Sequence, residues 1–148
     1  MYTYQYPRPA ITIDIVLFQR VQELYRVLLI KRAQAPFAGK YALPGGFVDL
    51  NETLEEAAGR ELREETGLED IRLVQIHTFS DLDRDPRERV ISTVYGAVIE
   101  VDDQILPQAG SDAVEAHWFD LSNLPPLAFD HNIIIQAAIK KMILPKEI

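Results

Sequence analysis

Glu61, Glu64 and Glu65 stand close together, sixteen to twenty residues after a glycine pair, Gly45-Gly46. At roughly 100° per residue a helix would place Leu54, Ala57, Ala58, Glu61, Leu62 and Glu65 on one face, with Glu64 on its shoulder. The stripe that should face a core therefore turns acidic in its second half. Like charges four apart cost about 0.2–0.5 kcal/mol per pair, and negative charge toward a helix C-terminus opposes the macrodipole. Burial of unpaired carboxylates would cost far more than either. A positive partner is required, and Arg60 and Arg63 project to the sides of this face. A divalent cation can meet it. An all-oxygen cluster in a chain without cysteine suits Mg²⁺, or Mn²⁺, better than zinc. Such ions bridge pyrophosphate oxygens and lower the pKa of an attacking water, so the chemistry indicated is substitution at phosphorus.

The element that must carry these carboxylates is marked at both ends. Thr53-Leu54-Glu55-Glu56 is a capping box, and Gly67 supplies the left-handed residue that ends many helices. Ahead of it, Gly45-Gly46 reads as a loop whose glycines let backbone carbonyls approach a ligand or metal.

Elsewhere the chain has alternating and β-branched runs. Strands are expected at Ala10 to Phe18, Leu24 to Lys31, Tyr41 to Leu43, Ile71 to Phe79, Arg89 to Val101 and Val114 to Phe119. Gln19 to Glu23 is the turn of a first hairpin. Met1 to Pro9, rich in Tyr and Pro, is a loose arm, an edge strand or part of a dimer contact. A second helix should start at Asp130 as N-cap, with Ile134, Ala138, Ile139 and Met142 on its core face. Helices covering a mixed β-sheet give an α/β fold, and without repeat or linker residues 1–148 read as one domain.

The 148 residues suffice for a sizeable core. A net charge of −8 argues against a nucleic-acid duplex as partner, but not against a small phosphorylated ligand held by metals and a few arginines. Without cysteine, disulfides are excluded. No apolar run approaches the roughly 20 residues of a membrane span, and MYTYQYPRPA lacks a signal-peptide core, so the expected setting is cytoplasmic with no membrane partner. His77, His117 and His131 lack metal-ligand spacing. His131 is expected to bond locally and His117 to pack within its strand. No Ser or Cys nucleophile with a matching His accompanies the acidic helix, which argues against covalent catalysis.

Gly46, Glu52 and Arg60-Glu61-Leu62-Arg63-Glu64-Glu65-Thr66-Gly67-Leu68 match, without departure, the 23-residue box of the Nudix hydrolases, and the chain resembles that family. The resemblance implies an α/β/α sandwich, a nucleotide substrate and Mg²⁺ held by Glu61, Glu64, Glu65 and the carbonyl of Gly45. It also implies that Glu52 and Arg60 orient these carboxylates, and it leaves a homodimer possible. A general base is sought in Glu64, Glu115 or Asp112, since related enzymes draw an acidic residue from the latter region. Arg32 stands where the family keeps a phosphate-binding arginine. Arg84 and Arg87 in RDPRERVIS, together with LAFDH, resemble the ADP-ribose pyrophosphatase branch and are expected to contact substrate as exposed residues. The expected reaction cleaves ADP-ribose to AMP and ribose 5-phosphate. Alternatives are an oxidised nucleoside triphosphate, NADH or a dinucleoside polyphosphate as substrate, or a module that senses ADP-ribose without cleaving it.

Overall fold

The computed structural model describes residues 1–100 and 113–143. Strand β1 (Ala10–Val21) is its axis. Along one edge it pairs in parallel with β6 (Val90–Glu100), from Ala10↔Val90 to Arg20↔Glu100. Along the other edge it changes partner. Phe18 to Val21 pair antiparallel with β2 (Leu24–Arg32), whereas Thr12 to Asp14 pair antiparallel with β4 (Gly45–Phe47). β2 then continues to β3 (Tyr41–Ala42) on one side and β7 (Ala113–Asp120) on the other. β5 (Val74–Phe79) closes the far edge against β6. The result is a mixed, seven-stranded sheet split beside β1.

A helix covers each face, giving the expected α/β/α sandwich. Ile13, Ile15, Leu17, Leu28 and Ile30 pack with Ala57, Ala58 and Leu62 of α1 (Leu54–Thr66). The alternate residues Val16, Phe18, Val27 and Leu29 pack with Ile134, Ile135 and Ala138 of α2 (His131–Met142). This is the period-2 alternation of a sheet buried on both sides. Both signals at the ends of α1 are realised. Thr53 and Glu56 exchange side-chain to backbone bonds at 3.1 Å each, and Gly67 takes φ 77.

Four expectations need correction. Gly45-Gly46 is not a free loop but the start of β4. β5 begins at Val74, so Ile71 to Leu73 lie before the strand. β1 runs on to Val21 and shrinks the turn to Gln22-Glu23, with Gln22 at φ 59. Asp130 precedes α2, but its side chain does not cap the helix, because Arg84 takes the carboxylate. The arm before β1 contains no strand; Tyr2 and Tyr4 stack at 6.4 Å, and Arg8 lies 3.9 Å from the Tyr4 ring centroid. Among the described residues no helix is long and apolar enough to cross a membrane.

Candidate active site

The split in the sheet is where α1 delivers its carboxylates. Glu61 and Glu65 are buried, at 7% and 3% exposure. The Gly45 amide donates to Glu65 Oε1 at 2.9 Å. Gly45 occupies a position of the β1–β4 ladder flanked by the Ile15–Pro44 and Val48–Ile11 bonds. By antiparallel alternation, its N–H and C=O therefore both turn away from β1. Neither glycine is needed for a left-handed backbone, since the positive-φ glycines are Gly39 and Gly67. They are needed for space. A Cβ on Gly45 would overlap the Ile13 carbonyl oxygen and lie 2.8 Å from Asp14 Oδ1; one on Gly46 would overlap the Glu61 carboxylate.

Arg60 reaches further than its side position on the helix suggests. Its Nε and Nη2 form a fork on Glu52 at 2.8 and 2.6 Å. Nη1 donates to Glu61 at 2.8 Å and to Glu64 at 3.2 Å, and Nη2 also reaches the Phe47 carbonyl at 3.2 Å. Although Arg60 projects to the side of the acidic face, its long guanidinium fork spans from that flank to Glu61. The fork lowers the Glu52 pKa to about 2 and raises that of Arg60. Glu65 lies beyond its reach. Burial, with the neighbouring charges of Glu61 and Asp14, outweighs the Gly45 amide and pushes Glu65 up to about 9. Burial raises Glu61 too, against the opposing pull of Arg60.

The oxygen donors of Glu61 and Glu65 fit a hard divalent cation, and the raised carboxyl pKa marks a pair that lacks sufficient positive charge. Glu64, with its side chain 42% exposed, is turned toward Arg60. Among the described residues no three acidic or histidine side chains already converge as a complete metal cage.

Gly46 also lines a cleft of about 280 Å³, together with Thr12, Asp14, Arg32, Phe47, Arg84, Asp85, Arg87, Phe129 and His131 among others. It brings Arg32, Arg84 and Arg87 together, but not in equivalent roles. Arg84 is not exposed. Its side chain is 4% accessible, forked on Asp130 at 3.0 and 2.8 Å, and 3.9 Å from Asp14. Burial hides what the charged surroundings of RDPRER suggest on sequence. Arg87, 36% exposed, forks on Asp85 at 3.0 and 2.7 Å. Burial alone would raise Asp85, but the Arg87 side chain and amide pull it below its ordinary value. Arg32 donates to the Pro36 carbonyl at 2.8 Å.

Asp14 and His131 form the cleft floor. The Leu43 amide donates to His131 Nδ1 at 3.0 Å, which leaves the proton on Nε2, 3.4 Å from Asp14 Oδ1. Full burial lowers the His131 pKa despite both aspartates nearby, so the ring is neutral. Ser92 donates to the other Asp14 oxygen at 2.5 Å. His131 therefore bonds across the fold rather than locally. Sequence reasoning missed Asp14, Asp85, Phe47 and Phe129. The available signal was a lone carboxylate, Asp14, inside the apolar run AITIDIVLF.

Glu115 is not brought to the α1 carboxylates. Ala116 and Trp118 face the α1 core, so Glu115 projects with Phe119 toward the α2 side. There it accepts from Tyr41 Oη at 3.2 Å and lies 3.1 Å from His117 Nε2. His117 is accordingly an exposed partner of Glu115, not a packed strand residue. Asp112 lies outside the described residues.

Comparison with known proteins bears on this arrangement. The chain is 47% identical over 131 residues to an ADP-ribose pyrophosphatase of Methanocaldococcus jannaschii, covering 88% of this chain and 73% of that protein. It is 33% identical to the ADPR responsive transcriptional repressor NtrR of Acinetobacter baylyi, covering 93% of this chain but only 56% of the repressor. Among solved structures, the NUDIX domain of Shewanella oneidensis NrtR complexed with ADP ribose superposes with a TM-score of 0.85 at 30% identity, over 93% of this chain and 90% of that one. The NUDIX domain model matches residues 8–138. With that match spanning the sheet, both helices' start and the complete acidic box, the chain belongs to the NUDIX domain family.

Proposed function

We propose that this Nudix pyrophosphohydrolase cleaves ADP-ribose to AMP and ribose 5-phosphate with Mg²⁺, Mn²⁺ being the other ion the donor set suits. One observation carries the reading: the buried Glu61–Glu65 pair and the arginine-lined cleft meet at the same two glycines. A diphosphate lying across Gly45-Gly46 has carboxylates for a metal on one side and guanidinium groups on the other. Similarity to a pyrophosphatase of ADP-ribose, and to a Nudix domain seen with ADP ribose, supports that choice among nucleotides.

Glu61 and Glu65 would hold the cation, with Glu64 and the outward-turned Gly45 carbonyl completing its oxygen ligands. The bound cation supplies charge neutralisation at the pyrophosphate and a more acidic water. Arg60 and Glu52 fix the rotamers of Glu61 and Glu64 from outside this set, as partners of metal ligands commonly do. Glu64, the most exposed of the three box carboxylates, is the described acidic residue able to accept a proton at the site. Arg32 and Arg87 bind phosphate oxygens, where charge-assisted bonds are strongest.

A second reading, binding of ADP-ribose without cleavage, is favoured by the similarity to the NtrR repressor. Steady-state turnover of ADP-ribose, NADH, 8-oxo-dGTP and a dinucleoside polyphosphate with Mg²⁺ separates the possibilities. The highest kcat/KM is expected for ADP-ribose. Tight ADP-ribose binding without turnover would instead establish the sensing module.

A further inference from the structure

Two cleft arginines share one aromatic ring. Arg32 Cζ lies 4.9 Å and Arg87 Cζ 5.5 Å from the Phe129 ring centroid. Phe37 meets the same ring edge-on at 4.8 Å. The backbone of Phe129 has φ 52, the left-handed region that a bulky residue enters only under constraint. The constraint is visible on both sides. The Ala128 amide donates to the Tyr41 carbonyl at 2.9 Å. Asp130 is held by the buried Arg84 fork, and His131 by the Leu43 amide. Three anchors in four consecutive residues hold the backbone on either side of Phe129.

Beyond the Asp85 fork on Arg87 and the Pro36 carbonyl on Arg32, the ring is what the two guanidinium groups share. They are like charges near one another: burial first and then Arg87 depress the Arg32 pKa, against the opposing pull of Glu65, Asp85 and Asp14. An aromatic face attracts a cation through its quadrupole and suffers no proton loss or competing fold. Arg87 is seated on a second ring as well, 5.2 Å from the Phe47 centroid.

We infer that Phe129 is a positioning residue whose ring, fixed in place by the Arg84–Asp130 pair, seats Arg32 and Arg87 together as a double guanidinium clamp for the phosphates of the nucleotide. Arg84 then acts through Phe129 and not by touching substrate. The inference rests on the reading of the cleft as the nucleotide site.

Phe129→Leu and Phe129→Met keep apolar bulk and remove the π face; Phe129→Tyr keeps both. For each, KM and kcat on ADP-ribose with Mg²⁺ are compared with the Kd for AMP, titrated calorimetrically without metal, and with Tm. The Leu and Met variants should raise KM and the AMP Kd about tenfold, as expected for a partly desolvated cation–π contact, with a much smaller fall in kcat. The Tyr variant should restore both constants to within about twofold. An unchanged KM and Kd in folded Leu or Met variants overturns the seat. So does a Tyr variant as impaired as Leu, because shape and not the π face would then matter. If the wild-type protein binds AMP but turns over nothing, the hydrolase reading falls while the Kd comparison still decides the seat. A wild type that binds neither ligand overturns both.

Discussion

Replacing Glu65 by Gln should stabilise the metal-free protein. Glu65 is buried and accepts the Gly45 amide at 2.9 Å, a bond that the Gln carbonyl can keep. Its pKa rises from the ordinary 4.5 to about 9, chiefly because burial disfavours the charge. At pH 7 the folded protein therefore carries a proton on Glu65 that the unfolded chain does not. Raising the folded pKa of an acid makes stability fall as pH increases, from about 4.5 up to about 9, by 1.36 kcal/mol per unit. At pH 7 the accumulated cost is about 3 kcal/mol, the pH interval of 2.5 units above 4.5 times that slope. Gln never ionises and escapes it. The expected gain in Tm without metal is roughly 6–12 °C, taking 2–4 °C per kcal/mol for a domain of this size, and the slope of stability against pH should flatten by about one proton. With saturating Mg²⁺ the order should reverse, since the wild type alone gains the full free energy of cation binding. Thermal melts of both proteins in EDTA and in Mg²⁺ from pH 5 to pH 9 read all of this. A Gln variant that melts lower in EDTA, or keeps the wild-type pH slope, refutes the placement of Glu65 as a carboxyl starved of positive charge.

Glu61→Gln should gain less in EDTA than Glu65→Gln, because the 2.8 Å bond from Arg60 loses its ionic partner, yet it should lose several powers of ten in kcat. Arg60→Ala should lower both activity and metal-free Tm, since three carboxylates lose their shared cation; an unchanged melt would count against that role. Arg84→Ala and Arg87→Ala should differ in degree: the first strips a buried ion pair and destabilises by about 3–5 kcal/mol, while the second leaves the buried Asp85 carboxylate to the residue 87 amide alone, lowers Tm by less and lowers kcat/KM for ADP-ribose about ten- to hundredfold. Gly46→Ala should abolish turnover even in protein that still folds, because the methyl would displace the Glu61 carboxylate.

The helix that carries the chemistry was legible in the sequence because its signals are local. Thr53, Glu56 and Gly67 satisfy the free ends of α1 within a few residues, and the 3.6-residue period places Glu61 and Glu65 inward. Alternating strands and two helices pointed to helices on a mixed sheet, and the family resemblance implied the α/β/α layering. What escaped depends on contacts across the chain. Gly45-Gly46 pair with β1 as a strand, but glycine has no side chain to show alternation. Arg84 looks like a surface charge among RDPRER, and only Asp130, 46 residues away, reveals its burial. Glu115 alternates with Ala116, and which of the two faces α1 is settled by pairing with β2. Phe129 reads as one more apolar residue until its backbone and two arginine neighbours are seen together.

In the proposed hydrolase, Glu61 and Glu65 form the cation site. Calorimetric titration of the metal-free protein with Mg²⁺ at pH 7, repeated in buffers of different ionisation enthalpy, counts the protons released on binding. Because Glu65 is protonated at that pH and must ionise to ligate, about one proton should leave per site in the wild type and none in Glu65→Gln. Binding without proton release, or release undiminished in Glu65→Gln, would contradict the assignment.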